Sequence, residues 1–112
     1  MKRGEIMKVG IDIVENKRIK LKESLIFKIL SESELAIFNS KNRQEKREFL
    51  SGRWAVKEAI IKTLDTPVSM SKIEISYIDS KPIILNAELQ NIAISISHEK
   101  KFSVGLAIRT ND

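Results

Sequence analysis

The sequence predicts a single α+β domain, and three observations support this prediction. The chain opens with an alternating, strand-like segment, continues with segments of helical periodicity, and beyond Pro67 returns to alternating segments. One strand, then helices, then antiparallel strands is the element order of an α+β fold, here an antiparallel sheet packed with one long helix and shorter helices. The 112 residues form one domain, residues 1–112, because a second core would not fit.

The first strand, predicted over Lys8–Glu15, contains an unusual acid. One face of this strand carries three apolar residues, Val9, Ile11 and Ile13. The other face carries Asp12 between Gly10 and Val14. Aspartate is depleted in strands and is rarely buried without a partner, so Asp12 requires either solvent at a sheet edge or a cation. Gly10 leaves room for another group to approach the backbone.

Helices are predicted in the middle of the chain. A short helix covers residues 24–30, and Ser31 with Glu34 forms a capping box ahead of the apolar residues 35–38. After a break at residues 39–42, a long helix extends over about residues 44–64.

The long helix has a broad apolar sector that also contains two cations, Arg53 and Lys57. Their stems could extend along the edge of the core, or their charged heads could meet an anion in a cleft. The opposite sector is polar and includes Glu58 and Lys62, which on an isolated helix would form an ordinary surface pair. The apolar sector comprises Phe49, Leu50, Trp54, Val56, Ile60, Ile61 and Leu64; the polar sector also contains Arg47 and Ser51.

Four further strands are predicted after Pro67. They cover residues 72–78, 83–86, 92–97 and 102–108, with a turn at residues 80–82. The last two form a hairpin joined by residues 98–101. His98, the only histidine, lies at the mouth of this hairpin, where it is either solvated or able to bind phosphate and exchange protons near neutral pH.

Composition narrows the class of protein. The apolar share of 42% is ordinary for a globular chain, no apolar run could span a membrane, and no signal core follows the basic N-terminus, so we expect a cytoplasmic protein that does not bind a membrane. The absence of cysteine excludes disulfides and thiolate zinc sites. A net charge of +5 favours an anionic partner. Nucleic acid is not expected, because no aromatic residue lies in an RNA-binding signature.

Four segments, in order and spacing, resemble the holo-acyl-carrier-protein synthases, the small trimeric type of 4′-phosphopantetheinyl transferase. They are residues 10–15 with 17–19, residues 29–35, residues 48–59 with Lys62, and residues 95–98. The resemblance implies the phosphopantetheinyl-transferase fold. It also implies transfer of the 4′-phosphopantetheine of coenzyme A to a serine of apo-acyl carrier protein, with release of adenosine 3′,5′-bisphosphate. Such a displacement at phosphorus depends on positioning and charge neutralisation.

The resemblance also implies the catalytic and metal-binding residues. Asp12 and Glu58 would hold Mg²⁺, whose other ligands would be water and phosphate oxygens. Either Glu58 or a water ordered by the carboxylates would accept the proton of the serine hydroxyl. Lys62 would reach the pyrophosphate or its leaving oxygen.

The remaining implied residues bind the coenzyme or the carrier protein. Arg53, Lys57, Ser97 and His98 would bind the coenzyme, with the 3′-phosphate as the expected target of Arg53 and His98. Arg18 would face the acidic helix of the carrier protein. Three copies of the chain would assemble into a homotrimer, with the coenzyme in a cleft between neighbouring subunits.

One segment departs from the family pattern. Asp65-Thr66-Pro67 replaces a glycine-rich segment whose backbone amides approach phosphate in the family. Pro67 has no amide hydrogen, and Asp65 adds negative charge near a diphosphate. A non-catalytic basic adaptor that binds an acidic protein or RNA is therefore the alternative hypothesis, and it predicts salt-sensitive binding that needs no divalent metal.

Overall fold

The structure is a computed structural model that describes residues 7–111. Residues 1–6 and 112 of the predicted domain lie outside the described residues. The elements in chain order are β1 (Lys8–Glu15), α1 (Glu23–Ile29), α2 (Glu32–Asn39), α3 (Arg43–Thr63), β2 (Ile75–Ile78), β3 (Lys81–Ile84), β4 (Ile92–His98) and β5 (Phe102–Arg109). Across residues 7–111, no helix combines the length and apolar character needed to cross a bilayer.

The predicted α+β fold is confirmed. β1, β5 and β4 form an antiparallel sheet in that order, and β2 pairs with β3 in a separate hairpin. In the sheet, Asp12 lies opposite Gly105, which lies opposite Ile96 on the far strand. β1 is therefore one edge of the sheet and β4 is the other.

The boundaries of α1 and α3 agree with prediction to within a residue or two, and both α2 and α3 begin at capping boxes. Ser31 and Glu34 form the predicted box at α2. A second box, between Asn42 and Glu45, starts α3 inside the segment that we had interpreted only as a break. Each box provides partners for amide groups that the first helical turn leaves unpaired.

The β2–β3 hairpin differs from the prediction. A 3-10 turn, Met70–Lys72, precedes β2 and shortens it. The hairpin turn is formed by Asp79 and Ser80, whose φ values are 50° and 65°, so the prediction of a turn at residues 80–82 was wrong. Two consecutive positive φ angles are typical of the tight type I′ turn, whose twist matches that of the paired strands. Pro82 lies within β3, opposite Tyr77.

Helix α3 packs directly on the sheet because three glycines remove side chains from the contact. A Cβ at Gly10 would lie 1.9 Å from Ala59 O, and one at Gly105 would lie 2.4 Å from backbone atoms of Ala55 and Val56. Gly52 likewise makes room for the ring of His98. These contacts place the row of the sheet that contains Asp12 beside the turn of α3 that begins at Ala55.

Two hydrophobic clusters flank α3. One lies between α3, the sheet and the β2–β3 hairpin and includes Val56, Ile60, Ile73 and Ile92. The other packs α1 and α2 against the opposite side of the helix, and its members include Ile29, Phe38 and Leu50. α3 is therefore the central element of the domain, and its polar side chains can reach different surfaces of the molecule.

Candidate active site

The β1 side of α3 brings together three of the predicted catalytic residues. Lys62 Nζ donates to Ile11 O at 2.8 Å and lies 3.4 Å from Asp12 Oδ1. Ala55, Glu58 and Lys62 recur at intervals of three and four, so they share one face of the helix. Because that face lies beside Asp12, the first strand and the long helix place Asp12, Glu58 and Lys62 at one location, which we call the acidic flank.

Side chains of the acidic flank are accessible. The Asp12 side chain is 22% exposed and that of Lys62 is 50% exposed, while Glu58 is intermediate. The Glu58 carboxylate makes no hydrogen bond or ion pair with any residue in the range 7–111. Glu58 therefore does not form the surface ion pair with Lys62 that was expected for an isolated helix, because Lys62 contacts Asp12 instead. Two accessible carboxylates and one ammonium group can bind a cation and a phosphate together.

The two cations of the apolar sector are explained by a buried acid. Glu34, fully buried, accepts from Arg53 Nε at 2.7 Å and from Lys57 Nζ at 2.5 Å, while its Oε1 also accepts from the Ser31 amide. Lys57 also donates to the carbonyls of Ile29 (2.8 Å) and Met70 (2.9 Å). Each of these buried groups thus has a hydrogen-bonded partner inside the protein, with one carboxylate shared by two cations.

The predicted role of Lys57 in binding the coenzyme conflicts with this geometry. Its side chain is fully buried, and its three N–H donors have three protein partners. Burial lowers the pKa of Lys57, and the neighbouring Glu34 carboxylate opposes this shift. We correct the prediction accordingly: Lys57 ties α3 to the ends of α1 and the 3-10 turn at Met70, and it has no donor left for a phosphate.

Arg53 differs from Lys57 because its guanidinium reaches a cavity. Only Nε is engaged by Glu34, and the group lies over Phe49, 4.3 Å from the ring centroid, with Tyr77 at 5.5 Å. Among the described residues, Nη1 and Nη2 have no hydrogen-bond partner. The cavity has a volume of about 450 Å³, and its lining comprises Ile37, Lys41, Glu45, Glu48, Phe49, Arg53, Tyr77 and His98.

His98 lines the same cavity as Arg53. Its Nδ1 lies 3.1 Å from Ser103 Oγ, and its ring packs against Gly52. Burial of the ring lowers the pKa of His98; Glu48 opposes this shift and Arg53 reinforces it. We call Arg53, His98 and their cavity the basic cavity.

Ser97 and Arg18 lie apart from both groups. Ser97 is exposed on the face of the sheet opposite to α3, because residues alternate along β4 and His98 occupies the inner face. Arg18 ends a 3-10 turn, Asn16–Arg18, and is exposed. The structure therefore does not bring Ser97 to the basic cavity of the same chain.

The departure at residue 65 is neutralised within the protein. Asp65 pairs with Lys8 and lies 3.4 Å from Arg109, which also donates to Thr63 O at 2.8 Å. The hydrogen bond from Lys8, followed by the charges of Lys8 and Arg109, lowers the pKa of Asp65. Asp65 thus links the end of α3 to the first and last strands through its ion pairs with Lys8 and Arg109.

Several functional neighbours had no clear signal in the sequence. Glu34 was recognised as a cap, but its second role as the partner of Arg53 depends on a contact 19 residues away. Tyr77 reaches the cavity only because the β2–β3 hairpin folds over it. Asn16 contacts Ser103, which in turn contacts His98; Asn16 and Ser103 are 87 residues apart and follow no local pattern.

The acidic flank and the basic cavity lie on different sides of α3. Arg53 and Glu58 are five residues apart, which at about 100° per residue separates them by roughly 140° around the helix. Asp12 lies on one edge strand of the sheet and His98 on the other, with β5 between them. Among residues 7–111, no three acidic or histidine side chains come together as metal ligands.

Comparison with known proteins assigns the family. The 4′-phosphopantetheinyl transferase superfamily matches residues 8–108. A holo-[acyl-carrier-protein] synthase of Mycoplasma capricolum subsp. capricolum is 67% identical over 107 residues, covering 96% of this chain and 97% of the relative. One from Geobacillus sp. is 39% identical over 113 residues, with 92% and 95% covered.

A solved structure supports the same assignment. The holo-(acyl-carrier-protein) synthase of Bacillus anthracis, in complex with CoA (3′,5′-ADP), superimposes with a TM-score of 0.84 at 34% identity, covering 93% of this chain and 96% of that one. The agreement in sequence and in fold extends over almost the whole chain, so the chain belongs to the 4′-phosphopantetheinyl transferase superfamily.

Proposed function

We propose that this protein transfers the 4′-phosphopantetheine of coenzyme A to a serine of apo-acyl carrier protein. The serine oxygen forms a bond to the β-phosphorus of the coenzyme, the bond from that phosphorus to the bridging oxygen breaks, and adenosine 3′,5′-bisphosphate leaves. The observation that carries the proposal is the contact of Lys62 with Asp12, with Glu58 one turn before Lys62 on the same face of α3. The whole-length similarity to holo-[acyl-carrier-protein] synthases supports the same reaction.

Asp12 and Glu58 fit the donor set of a Mg²⁺ site. Mg²⁺ binds through one or two carboxylates and completes its shell with water and phosphate oxygens, so two accessible acids are enough. When bound, the ion would neutralise charge on the diphosphate. Asp12 would release its contact with Lys62, and Glu58, which has no protein partner in the described range, would be free to take part.

Lys62 and Glu58 supply the charges that the transfer requires. The Lys62 ammonium would move from Asp12 to the leaving phosphate oxygen, a short displacement for a flexible and half-exposed side chain. Either Glu58 or a water ordered by the two carboxylates would accept the serine proton.

The basic cavity would hold the 3′-phosphate. Arg53 offers two terminal nitrogens in a fixed plane, and Glu34 and Phe49 keep that plane in place. His98 offers a ring nitrogen from the other wall of the same cavity.

A homotrimer would unite the two groups of residues. One copy holds them on different sides of α3, so a ligand that touches both would need a second copy to place its basic cavity beside the acidic flank of the first. The outer face of the sheet is suited to such an assembly, because Val9, Ile11 and Ile13 are each about 60% exposed. Val104, Leu106 and Ile108 continue this apolar face on β5.

A basic segment is the proposed contact for the carrier protein. Lys17, Arg18, Lys20 and Lys22 are exposed, and none forms an ion pair within residues 7–111. An acidic helix of the partner would be attracted to such a surface, mainly through a faster association rate.

A mass measurement tests the function. Wild-type protein with coenzyme A, Mg²⁺ and apo-carrier protein should add one phosphopantetheine to the carrier, and Glu58→Gln should lower the rate by about 10²-fold or more. Glu88→Gln, an exposed change far from the acidic flank, is the matched control and should transfer normally. A wild-type protein that leaves a competent carrier unmodified contradicts the proposal, and full activity of Glu58→Gln removes this residue from the site.

A further inference from the structure

A chain of hydrogen bonds, buried at Asn16 and Ser103, runs from Asn16 through Ser103 to His98. Ser103 Oγ lies 2.9 Å from Asn16 Oδ1 and 3.1 Å from His98 Nδ1. Asn16 is 4% exposed and Ser103 is fully buried, so the contact between these two residues is shielded from water. The transfer reaction described above does not use Asn16 or Ser103, so this chain of hydrogen bonds requires its own explanation.

The backbone around Asn16 determines the direction of each hydrogen bond. Asn16 Nδ2 donates to Glu99 O at 3.0 Å and to Lys100 O at 3.2 Å, and carbonyl oxygens can only accept. The amide nitrogen of the side chain must therefore face the β4–β5 turn, and its oxygen must face Ser103. The Ser103 hydroxyl has a single proton, and it consequently donates this proton to Asn16 Oδ1.

The direction of these bonds fixes the tautomer of His98. Because the Ser103 hydroxyl already donates to Asn16, it can only accept from His98, and Nδ1 must carry a proton. The other ring nitrogen, Nε2, then holds the lone pair in the neutral imidazole and is the nitrogen that gains a proton or a ligand.

The same chain also fixes the position of the ring. Asn16 N donates to Lys101 O at 2.7 Å, so Asn16 holds all three residues of the turn that follows His98. On the other side, the ring fills the space that Gly52 leaves; a Cβ there would lie 2.2 Å from His98 Cε1. The imidazole is thus held between a helix backbone and a hydrogen-bonded serine.

We propose that Asn16 and Ser103 are positioning residues: they hold His98 with its Nδ1–H donated to Ser103, so that Nε2 is the nitrogen that takes up a proton from solvent and, once protonated, donates to the anionic phosphate bound by Arg53. The identity of that phosphate as part of coenzyme A rests on the proposed function, whereas the tautomer does not. Both residues act through His98, and neither has to touch the coenzyme.

The lone histidine makes the first test direct. Nitrogen NMR of the wild-type protein, above the pH at which the ring is protonated, should give one histidine with a protonated Nδ1 and an unprotonated Nε2. Ser103→Ala should shift the ring towards the other tautomer. A wild-type ring protonated at Nε2, or a tautomer unchanged in Ser103→Ala, overturns the proposal. The wild-type measurement remains decisive even if the variant does not fold.

The second test concerns the coenzyme. Ser103→Ala should raise the Kd for coenzyme A on the order of tenfold, the value of a lost hydrogen bond to a charged pair. The effect should vanish when His98→Ala is already present, and Ser103→Thr, which retains the hydroxyl, should restore affinity. Ser71→Ala, outside the chain of bonds, is the control. Additive losses in the double variant contradict the proposed coupling.

These tests separate the two proposals. A protein with the predicted tautomer, but no coenzyme binding and no transfer, retains the positioning role of Asn16 and Ser103 and loses the proposed function. Normal transfer by a protein with the opposite tautomer retains the proposed function and removes the positioning role of Asn16 and Ser103.

Discussion

Lys57 and Lys62 lie five residues apart on the same helix and have opposite fates. Lys57 is fully buried with three protein partners, whereas Lys62 is half-exposed and holds Asp12 at 3.4 Å. Lys57 belongs to the network that also fixes Arg53, so the basic cavity is held in place by the fold. The acidic flank has few internal contacts. The comparison teaches that one side of α3 is preorganised, while the other can rearrange around a ligand.

The largest effect should come from breaking the buried network. Lys57→Met keeps the length of the side chain but leaves Glu34 with only the Arg53 guanidinium and the Ser31 amide, and it leaves the Ile29 carbonyl without its Lys57 donor. We expect a loss of about 3–5 kcal/mol in the free energy of unfolding, since the buried Glu34 carboxylate loses a charge-assisted hydrogen bond and the Ile29 carbonyl loses its donor. Urea denaturation measures it.

Activity distinguishes the two roles of Lys57. At a temperature where Lys57→Met remains folded, its transfer rate per folded molecule should stay within about threefold of wild type, since a purely structural side chain contributes nothing to the transition state. A stable Lys57→Met with weak coenzyme binding would restore the original expectation that Lys57 contacts the coenzyme.

The matched change on the acidic flank should have the opposite profile. Lys62→Met should lower the transfer rate about 10²-fold, because a charge that acts on the leaving oxygen is lost. Its free energy of unfolding should remain within about 0.5 kcal/mol of wild type, as for other exposed substitutions. Parallel activity and denaturation measurements on the two lysine variants check both halves of the comparison. Equal stability losses would show that the two sides of α3 do not differ as described.

The sequence and the structure agree most closely where local patterns decide the outcome. Strand alternation around Asp12 and the capping box at Ser31 gave correct elements because each depends on residues close in the chain. Lys57 was assigned to the coenzyme because its partner, Glu34, lies 23 residues away on another helix. The turn at Asp79 was missed because neither it nor Ser80 is glycine, the residue that usually adopts positive φ.

The positions of the site residues show the same contrast between local patterns and contacts distant in the sequence. Helical spacing correctly put Glu58 and Lys62 on one face, and the resemblance supplied Asp12 as their neighbour. Periodicity could not reveal that Arg53 would turn away from them, since that depends on Glu34, Phe49 and the hairpin carrying Tyr77.

A smaller effect should follow from changing the shape of one cation. Arg53→Lys retains a positive charge for Glu34 but loses the planar pair of terminal nitrogens. We expect the KM for coenzyme A to rise about tenfold, equivalent to 1.4 kcal/mol, with kcat within about threefold of wild type. Steady-state kinetics measures the split between the two constants. Arg43→Lys, an exposed change at the start of α3, should alter neither.

The smallest effect concerns pH. Burial lowers the pKa of His98 in the folded protein below its ordinary value of 6.5, with Arg53 reinforcing the shift and Glu48 opposing it. The unfolded chain therefore binds the proton first as pH falls. The stability that comes from a neutral His98 is present above pH 6.5 and is lost as pH falls through the folded pKa.

His98→Gln should remove this dependence. Urea unfolding of wild type and His98→Gln should be measured across this pH interval. The free energy of unfolding should fall more steeply with acidification in the wild type, and the difference in slope should correspond to the uptake of at most about one proton. Glu48→Gln separates the contributions: because Glu48 favours the charged ring, its removal should steepen the wild-type slope and leave His98→Gln unchanged. Equal slopes in wild type and His98→Gln would mean that folding does not hold the ring neutral. The preorganisation inferred for the basic cavity would then be limited to Arg53.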